Sequence, residues 1–385
     1  MLNRPYWLQH IHRSWESRSI VWLSGVRRAG KTTIAQMLAD SIYNNCDLPS
    51  VARKLEDPES YLKSVAEGRK VIFDEIHRLD DPSRLLKIAA DEFSHIKVLA
   101  TGSSTLEATK KFKDSLTGRK YVINLPPVLW DECREIFKIS DLNHRFLHGG
   151  LPEALLSPDK DDAFYSEWID SFYARDIQEL FNVRNRSGFL RLMQLVFRSS
   201  GSMMEVTNLS KLSGLTRPTV ISYLEAMRIA NMLYILPPFH GSGRREIIQR
   251  PKYYSFDTGF VCFVNGWNEI RESDRELLWE HLVLDILRTH INEHNLYYWR
   301  DKSGREVDFV IKRSEKEIDI IECKANPDHF TPGNMNVFRE SYPNGNNYCY
   351  SPYINDSYAI VKGGINVIFI GSMAQYEVRS KQDAI

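Results

Sequence analysis

Short runs of apolar residues alternate with amphipathic stretches through the first third of the chain. The pattern predicts a buried strand at Ser19–Ser24, a helix at Thr32–Tyr43, and a strand at Lys70–Phe73. A helix at Pro82–Phe93 and a third strand at Ile96–Ala100 follow. Short β-branched strands separated by amphipathic helices are the signature of an α/β fold, a parallel sheet with helices on both faces. From Leu129 to Asn182 the periodicity is helical only, as in Ala163–Phe181. A second helical stretch leads to an expected hairpin with Gly241, Ser242 and Gly243 at its turn. The last third opens with a helix around Leu277–Ile291, then strands at Tyr297–Trp299, Val307–Ile311 and Ile318–Cys323.

Length and composition narrow this picture without redirecting it. A chain of 385 residues fits two or three domains. With 43% hydrophobic and 26% charged residues, disorder, collagen and coiled coil fit poorly. Fifty basic residues balance fifty acidic ones, so any case for nucleic-acid binding must rest on local patches. The five cysteines are scattered and form no CxxC pair, which argues against a disulfide framework or zinc finger. Met1–Arg13 carry no signal-peptide core, and no run approaches the ~18 apolar residues of a membrane span. The expectation is a cytoplasmic protein with no membrane partner.

Candidate chemistry begins where the first strand ends. After Ser24 come Gly25, Val26, Arg27, Arg28, Ala29, Gly30, Lys31, Thr32 and Thr33, the strand–GxxxxGK[ST]–helix pattern of a phosphate-binding loop. Its glycines let backbone N–H groups close around phosphates. Lys31 is expected to contact the terminal phosphates of ATP and the Thr32 hydroxyl to ligate Mg²⁺. The apolar strand Val71–Phe73 ends in Asp74 and Glu75. Asp74 is expected to hold Mg²⁺ and Glu75 to act as general base on the attacking water. Ser103, after the third strand, is a candidate γ-phosphate contact, with Ser103 or Ser104 as helix N-cap the alternative. For transition-state charge, Arg27, Arg28, Arg119 and Arg175 are candidates, Arg119 first among them.

The blocks GVRRAGKTT, VIFDEIHRL, VLATGSS and SLTGRKYVINLPPV, in that order, resemble the AAA-type ATPase domain of a large bacterial and archaeal family. Members of that family carry a C-terminal domain of unknown function. HGGLPEALL, YARDIQEL and KYYSFDTGF resemble its later blocks. The resemblance implies a P-loop AAA-type core (1–135), a helical lid (136–185), a winged helix-turn-helix (186–258) and a restriction-endonuclease-like end (259–385).

Residues Leu209–Val220 read as helix, glycine-containing turn and helix, with Thr216 as N-cap and Pro218 in the first turn. Val220, Tyr223, Leu224 and Met227 share an inward face, leaving Arg217, Thr219 and Ser222 outward. Arg244 and Arg245, then Arg250 and Lys252, add basic charge, the footprint expected for DNA phosphate contact. Scaffolding with incidental charge is the alternative. Further on, Asp308 in one strand precedes Glu322 and Lys324 in the next, and residues i and i+2 of a strand share a face. The stretch YYWRDKSGREVDFVI before them resembles the D…ExK core of restriction-endonuclease-like proteins. That resemblance makes Asp308, Glu322 and Glu280 candidate ligands of a second Mg²⁺ or Mn²⁺. Lys324 would steady charge or activate water. The readings that result are an ATPase coupling nucleotide state to DNA through a nuclease-like end, or a signalling or defence switch that binds a partner without cutting. A homo-oligomer is needed if Arg119 acts in trans.

Overall fold

The computed structural model describes residues 2–102, 110–178, 181, 183, 185–241 and 250–376. Ser103, Ser104, Arg244 and Arg245 lie outside them. Five strands form the first sheet: β1 (Ile20–Gly25), β2 (Ser41–Asn45), β3 (Lys70–Asp74), β4 (Lys97–Thr101) and β5 (Lys120–Leu125). All are parallel, in the order β2-β3-β4-β1-β5. β1 is buried along its whole length, as a central strand covered on both faces must be. Alternate side chains serve opposite layers. Ile20 and Trp22 join Leu85, Leu86 and Phe112 on one side. Val21 and Leu23 join Trp7, Ile11 and Trp15 of the helix Pro5–Ser17 on the other.

Two expectations for this region change. The helix after the loop covers only Lys31–Gln36, and the rest of the predicted Thr32–Tyr43 stretch turns at Asp40, φ 54°, into edge strand β2. Ile42 and Tyr43 suit a pleated edge better than a helix surface, and the helical periodicity of the preceding residues hid them. The predicted helix Ala163–Phe181 is α-helical over Asp162–Phe172 and continues as a π-helix over Tyr173–Gln178.

The middle of the chain supplies the helix Arg186–Arg198 and the pair Val206–Ser213 and Arg217–Ile229. Between the last two, Gly214 adopts φ 72° and Thr216 caps the second helix by accepting from the Thr219 N–H. Val220, Tyr223, Leu224 and Met227 are buried, while Arg217 and Ser222 are exposed. A small antiparallel sheet flanks the pair in the chain, β6 (Ser202–Met203) before it and β7 (Leu233–Leu236) and β8 (Lys252–Ser255) after it, in the order β6-β8-β7.

The C-terminal sheet has six strands: β9 (Leu296–Arg300), β10 (Glu306–Lys312), β11 (Ile318–Cys323), β12 (Asn347–Tyr350), β13 (Tyr358–Lys362) and β14 (Ile365–Ile370). Their order is β13-β14-β12-β11-β10-β9. β9–β10–β11 are antiparallel, whereas β11, β12 and β14 are parallel. The long helix Glu272–His290 packs on one face through residues such as Trp279, whose indole N–H donates to the Tyr350 carbonyl at 2.8 Å. The helix Gly333–Ser341 covers the other face with Met335 and Phe338. All five cysteines are buried and free. Among the described residues, no helix is long and apolar enough to cross a membrane.

Candidate functional site

The phosphate-binding loop leaves β1 at Gly25, whose φ of +141° already favours glycine. A Cβ there would sit 2.4 Å from the Leu125 carbonyl oxygen of neighbouring β5, so the loop passes too close for any side chain. Gly30, at φ +98°, turns the chain into the Lys31 helix. Lys31 folds back over the loop, its Nζ donating to the carbonyls of Gly25 at 2.8 Å and Val26 at 3.0 Å. Burial lowers its pKa, and the Glu75 and Asp176 carboxylates pull the other way. An ammonium resting on carbonyls, with so little water around it, gains by meeting an anion.

Asp74 ends β3, one strand beyond the β4–β1 pair, so a gap the width of β4 separates its carboxylate from the loop. The carboxylate is buried and fixed from both sides. Tyr43 Oη donates to one oxygen at 2.6 Å, and the Thr101 hydroxyl donates to the other. Glu75 follows in the left-handed region, φ 54°, with its N–H on Thr101 Oγ1 at 3.1 Å and its carboxylate 3.2 Å from His77 Nδ1. Burial raises the pKa of Glu75, against the opposing pull of Lys31. Burial also lowers that of His77.

Lys31, Glu75 and His77 face a cavity of about 780 Å³, whereas Asp74 is buried behind its lining. Gly25, Val26, Arg27, Arg28, Gly30, Lys31, Thr32, Thr33 and Glu75 line it, whereas Ala29 is buried behind, its carbonyl accepting from Arg4 Nη1 at 3.1 Å. The opposite wall comes from later parts of the chain. Phe137, Leu156 and Phe172 supply apolar surface, Arg175 and Asp176 charge, and Ala230 the end of the helix Arg217–Ile229. The loop is also gripped from above. Trp168 Nε1 donates to the Arg27 carbonyl at 3.2 Å, Arg27 reaches Asp176 at 3.6 Å, and Asn231 Nδ2 donates to Ser24 Oγ at 3.3 Å.

A second charged cluster forms in the C-terminal sheet. The antiparallel register Phe309↔Ile321 brings Asp308 alongside Glu322, and Asp308 Oδ2 accepts the Cys323 N–H at 2.7 Å. Lys324 Nζ lies 3.6 Å from Glu322 Oε2. Burial raises the pKa of Asp308, lifts Glu322 well above the carboxylate range, and pushes Glu280 up to about 7. Burial opposes the charge on Lys324, but Asp308 and Glu322 outweigh it and hold its pKa above the ordinary lysine value. Lys252, expected among the DNA-facing basic residues, is buried here instead. Its Nζ lies 2.9 Å from Glu280 Oε1 and 2.5 Å from Glu306 Oε1. Period-2 alternation in β8 turns Lys252 and Tyr254 inward together, and the Tyr254 hydroxyl donates to the same Glu280 oxygen. Among the described residues, no group of three or more His, Cys, Asp or Glu side chains is arranged to hold a metal ion.

Residues 17–134 match the family model of an AAA domain, and 275–371 match that of a domain of unknown function, DUF4143. The chain thus carries an AAA domain followed by a C-terminal DUF4143 domain. Between the two, residues 139–271 match another domain of unknown function, DUF8612. The uncharacterized protein Rv2008c of Mycobacterium tuberculosis is 24% identical over 314 residues, covering 79% of this chain and 70% of that protein. Mb2031c of Mycobacterium bovis matches with the same values. The Walker-type ATPase PABY2304 of Pyrococcus abyssi has a TM-score of 0.42 at 14% identity, covering 69% of this chain and 96% of that one. A RuvB structure from Thermotoga maritima has a TM-score of 0.32 at 19% identity, covering 61% of this chain and 90% of that one.

Around the loop of this AAA domain the arginines divide clearly. Arg27, Arg28 and Arg175 line the cavity. Arg119 directly precedes β5, at the N-terminal edge of the sheet, and is bound to Asp91 at 2.6 Å. The loop lies at the C-terminal edge, so Arg119 does not serve the loop of its own chain. Three residues that shape the site around the phosphate-binding loop had no signal in the sequence. Tyr43 went unseen because β2 did. Asp176 and Arg4 reach the loop by long-range folding that leaves no local pattern.

Proposed function

We propose that the chain is an ATP-driven switch that couples nucleotide state to DNA engagement through a winged helix formed by residues 186–258. One observation carries this reading: a single cavity is walled by the phosphate-binding loop, by Arg175 and Asp176 of the π-helix, and by Ala230 of the helix-turn-helix. A ligand filling it touches the core (1–135), the lid (136–185) and the winged helix at once, so its binding favours whichever arrangement closes all three. The apolar surface of Phe137, Leu156 and Phe172 suits a nucleobase, and Lys31 suits a phosphate.

The donor set at the loop fits a hard cation. Thr32 offers a hydroxyl, and Asp74 offers a buried carboxylate whose orientation Tyr43 and Thr101 already fix. Mg²⁺ held by Thr32 and Asp74 would neutralise phosphate charge. Glu75 takes a proton from water, Lys31 holds the terminal phosphates, and Ser103 contacts the γ-phosphate. Arg27 and Arg175 stabilise charge in cis, with Arg119 reserved for the loop of a neighbouring copy in a homo-oligomer.

For DNA, Lys211 and Arg217 are exposed on the two helices of the helix-turn-helix. Charge reversal at both, Lys211→Glu with Arg217→Glu, is expected to weaken duplex binding at least tenfold in fluorescence anisotropy. Wild-type affinity is expected to fall steeply between about 50 and 200 mM salt, as counterion release requires. Salt-independent affinity that both substitutions leave unchanged would end the DNA assignment.

We read the C-terminal unit (259–385) as restriction-endonuclease-like, so that Asp308, Glu322 and Glu280 would take Mg²⁺ or Mn²⁺ and Lys324 would steady the phosphodiester. Lys252 favours a second reading, a unit that engages DNA or a partner without cutting. Its ammonium already neutralises two of the carboxylates in that region.

A further inference from the structure

Lys252 belongs to β8, the central strand of the small sheet that flanks the helix-turn-helix, yet its charge is spent on another unit. The side chain is only 4% exposed, and its Nζ sits between Glu280 of the long helix and Glu306 of β10. Two residues on, Tyr254 closes the same carboxylate. Behind this pair, Glu322 is also buried, 6% exposed, and among the described residues its Oε1 has no hydrogen-bond partner. A carboxylate oxygen so deeply buried and left without a donor costs stability. Asp308 stands beside it. The cluster therefore holds more acceptor capacity than the protein's own donors fill, and the compact cation pressed into it from β8 arrives from a neighbouring unit.

Resting on the cation-ligand reading of Glu280, Asp308 and Glu322 given above, we propose that Lys252 is an internal cation that keeps this cluster closed, and that withdrawal of β8 opens it to a divalent cation. An ammonium placed between carboxylates supplies the positive charge that a bound divalent ion would supply. While it stays there, Glu280 is committed to Lys252 and is not free to join Asp308 and Glu322, beside which Lys324 Nζ lies 3.6 Å from Glu322. β8 is also tied toward the nucleotide cavity. Asp257, two residues past its end, accepts the Gly150 N–H at 2.6 Å, and Pro152, two residues further along, lines that cavity. The closed state is then a property of how the small sheet sits on the C-terminal unit, whether or not that unit cuts DNA.

The test is thermal melting of nucleotide-free, full-length protein in EDTA and in millimolar Mn²⁺. Lys252→Met keeps the length and apolar stem but deletes the charge, leaving buried carboxylates uncompensated. Lys252→Met is expected to melt several degrees lower than wild type in EDTA and to regain most of that loss in Mn²⁺. Wild type is expected to respond little, which also controls for Mn²⁺ at Thr32 and Asp74. Adding Glu322→Gln to Lys252→Met should remove the Mn²⁺ response. A Lys252→Met melting temperature that Mn²⁺ leaves unchanged, or raises no more than in wild type, overturns the proposal. If neither Lys252→Met nor Lys252→Gln folds in EDTA, refolding in Mn²⁺ decides. Recovery of folded protein supports a masked cation site, and failure to recover contradicts it.

Discussion

Glu75→Gln is expected to bind ATP as wild type does while turning it over about 10²–10⁴-fold more slowly, the usual contribution of a positioned general base. The amide keeps the size and shape of the side chain but loses its charge and basicity, one acceptor oxygen becoming a donor. The backbone at Glu75 is held in the left-handed region, where a non-glycine residue persists only because its surroundings fix it. Thr101 provides that restraint, accepting the Glu75 N–H while donating to Asp74. One hydroxyl therefore sets the positions of both acids. Because burial raises the Glu75 pKa, its ionised, basic form gives way to the protonated one at a higher pH than for an exposed glutamate. Turnover by wild type should accordingly fall as pH drops from neutral into the mildly acidic range, and rise again as pH returns. Single-turnover phosphate release, measured alongside equilibrium ATP binding, separates the two effects. Wild-type hydrolysis in Glu75→Gln would remove Glu75 as the base.

Glu132→Ala should be the costliest single substitution away from the nucleotide, at about 3–5 kcal/mol, because it leaves a buried guanidinium without its counter-charge. Arg4 is 3% exposed and meets Glu132 through two charge-assisted hydrogen bonds, 2.8 and 2.6 Å, while Trp7 Nε1 donates to the same carboxylate at 3.0 Å. The remaining Arg4 bond goes to the Ala29 carbonyl inside the phosphate-binding loop. Losing Glu132 thus frees the first helix and unsettles the loop together. Urea denaturation reads the first effect as a lower midpoint at unchanged slope. A shift below about 1 kcal/mol would mean the Arg4–Glu132 pair carries little of the stability assigned to it.

The elements that sequence reading captured are those with a strong local signal. The run Ile20–Ser24 is apolar nearly throughout because β1 is covered on both faces, and the glycines of the loop are demanded by Leu125 at one end and a left-handed turn at the other. The strands bearing Asp308 and Glu322 were equally visible, since their apolar flanks alternate with charge, whereas Lys324 falls one residue past the end of β11. What stayed hidden depends on tertiary placement. Edge strand β2 is only partly buried, so its pattern is weak, and with it went the hydroxyl of Tyr43 that fixes Asp74. The order β2-β3-β4-β1-β5 inserts β4 between the loop and the acidic pair, a fact of topology and not of spacing along the chain. Lys252 shows the limit most sharply. Beside Arg250 in the sequence it reads as part of a basic surface, yet period-2 alternation in β8 turns it inward onto acids contributed by residues 28 and 54 positions away. Charge counting along a chain sees sign but not direction.

The most direct measurement is isothermal titration calorimetry of ATP, with Mg²⁺ present, into folded wild type and into Lys31→Ala. Wild type is expected to bind one nucleotide per chain, whereas Lys31→Ala, lacking the ammonium that now rests on the Gly25 and Val26 carbonyls, should show at least a hundredfold weaker binding or none. No heat and no saturation with wild type, or equal affinity in both proteins, would contradict the claim that this cavity is built for a nucleoside triphosphate.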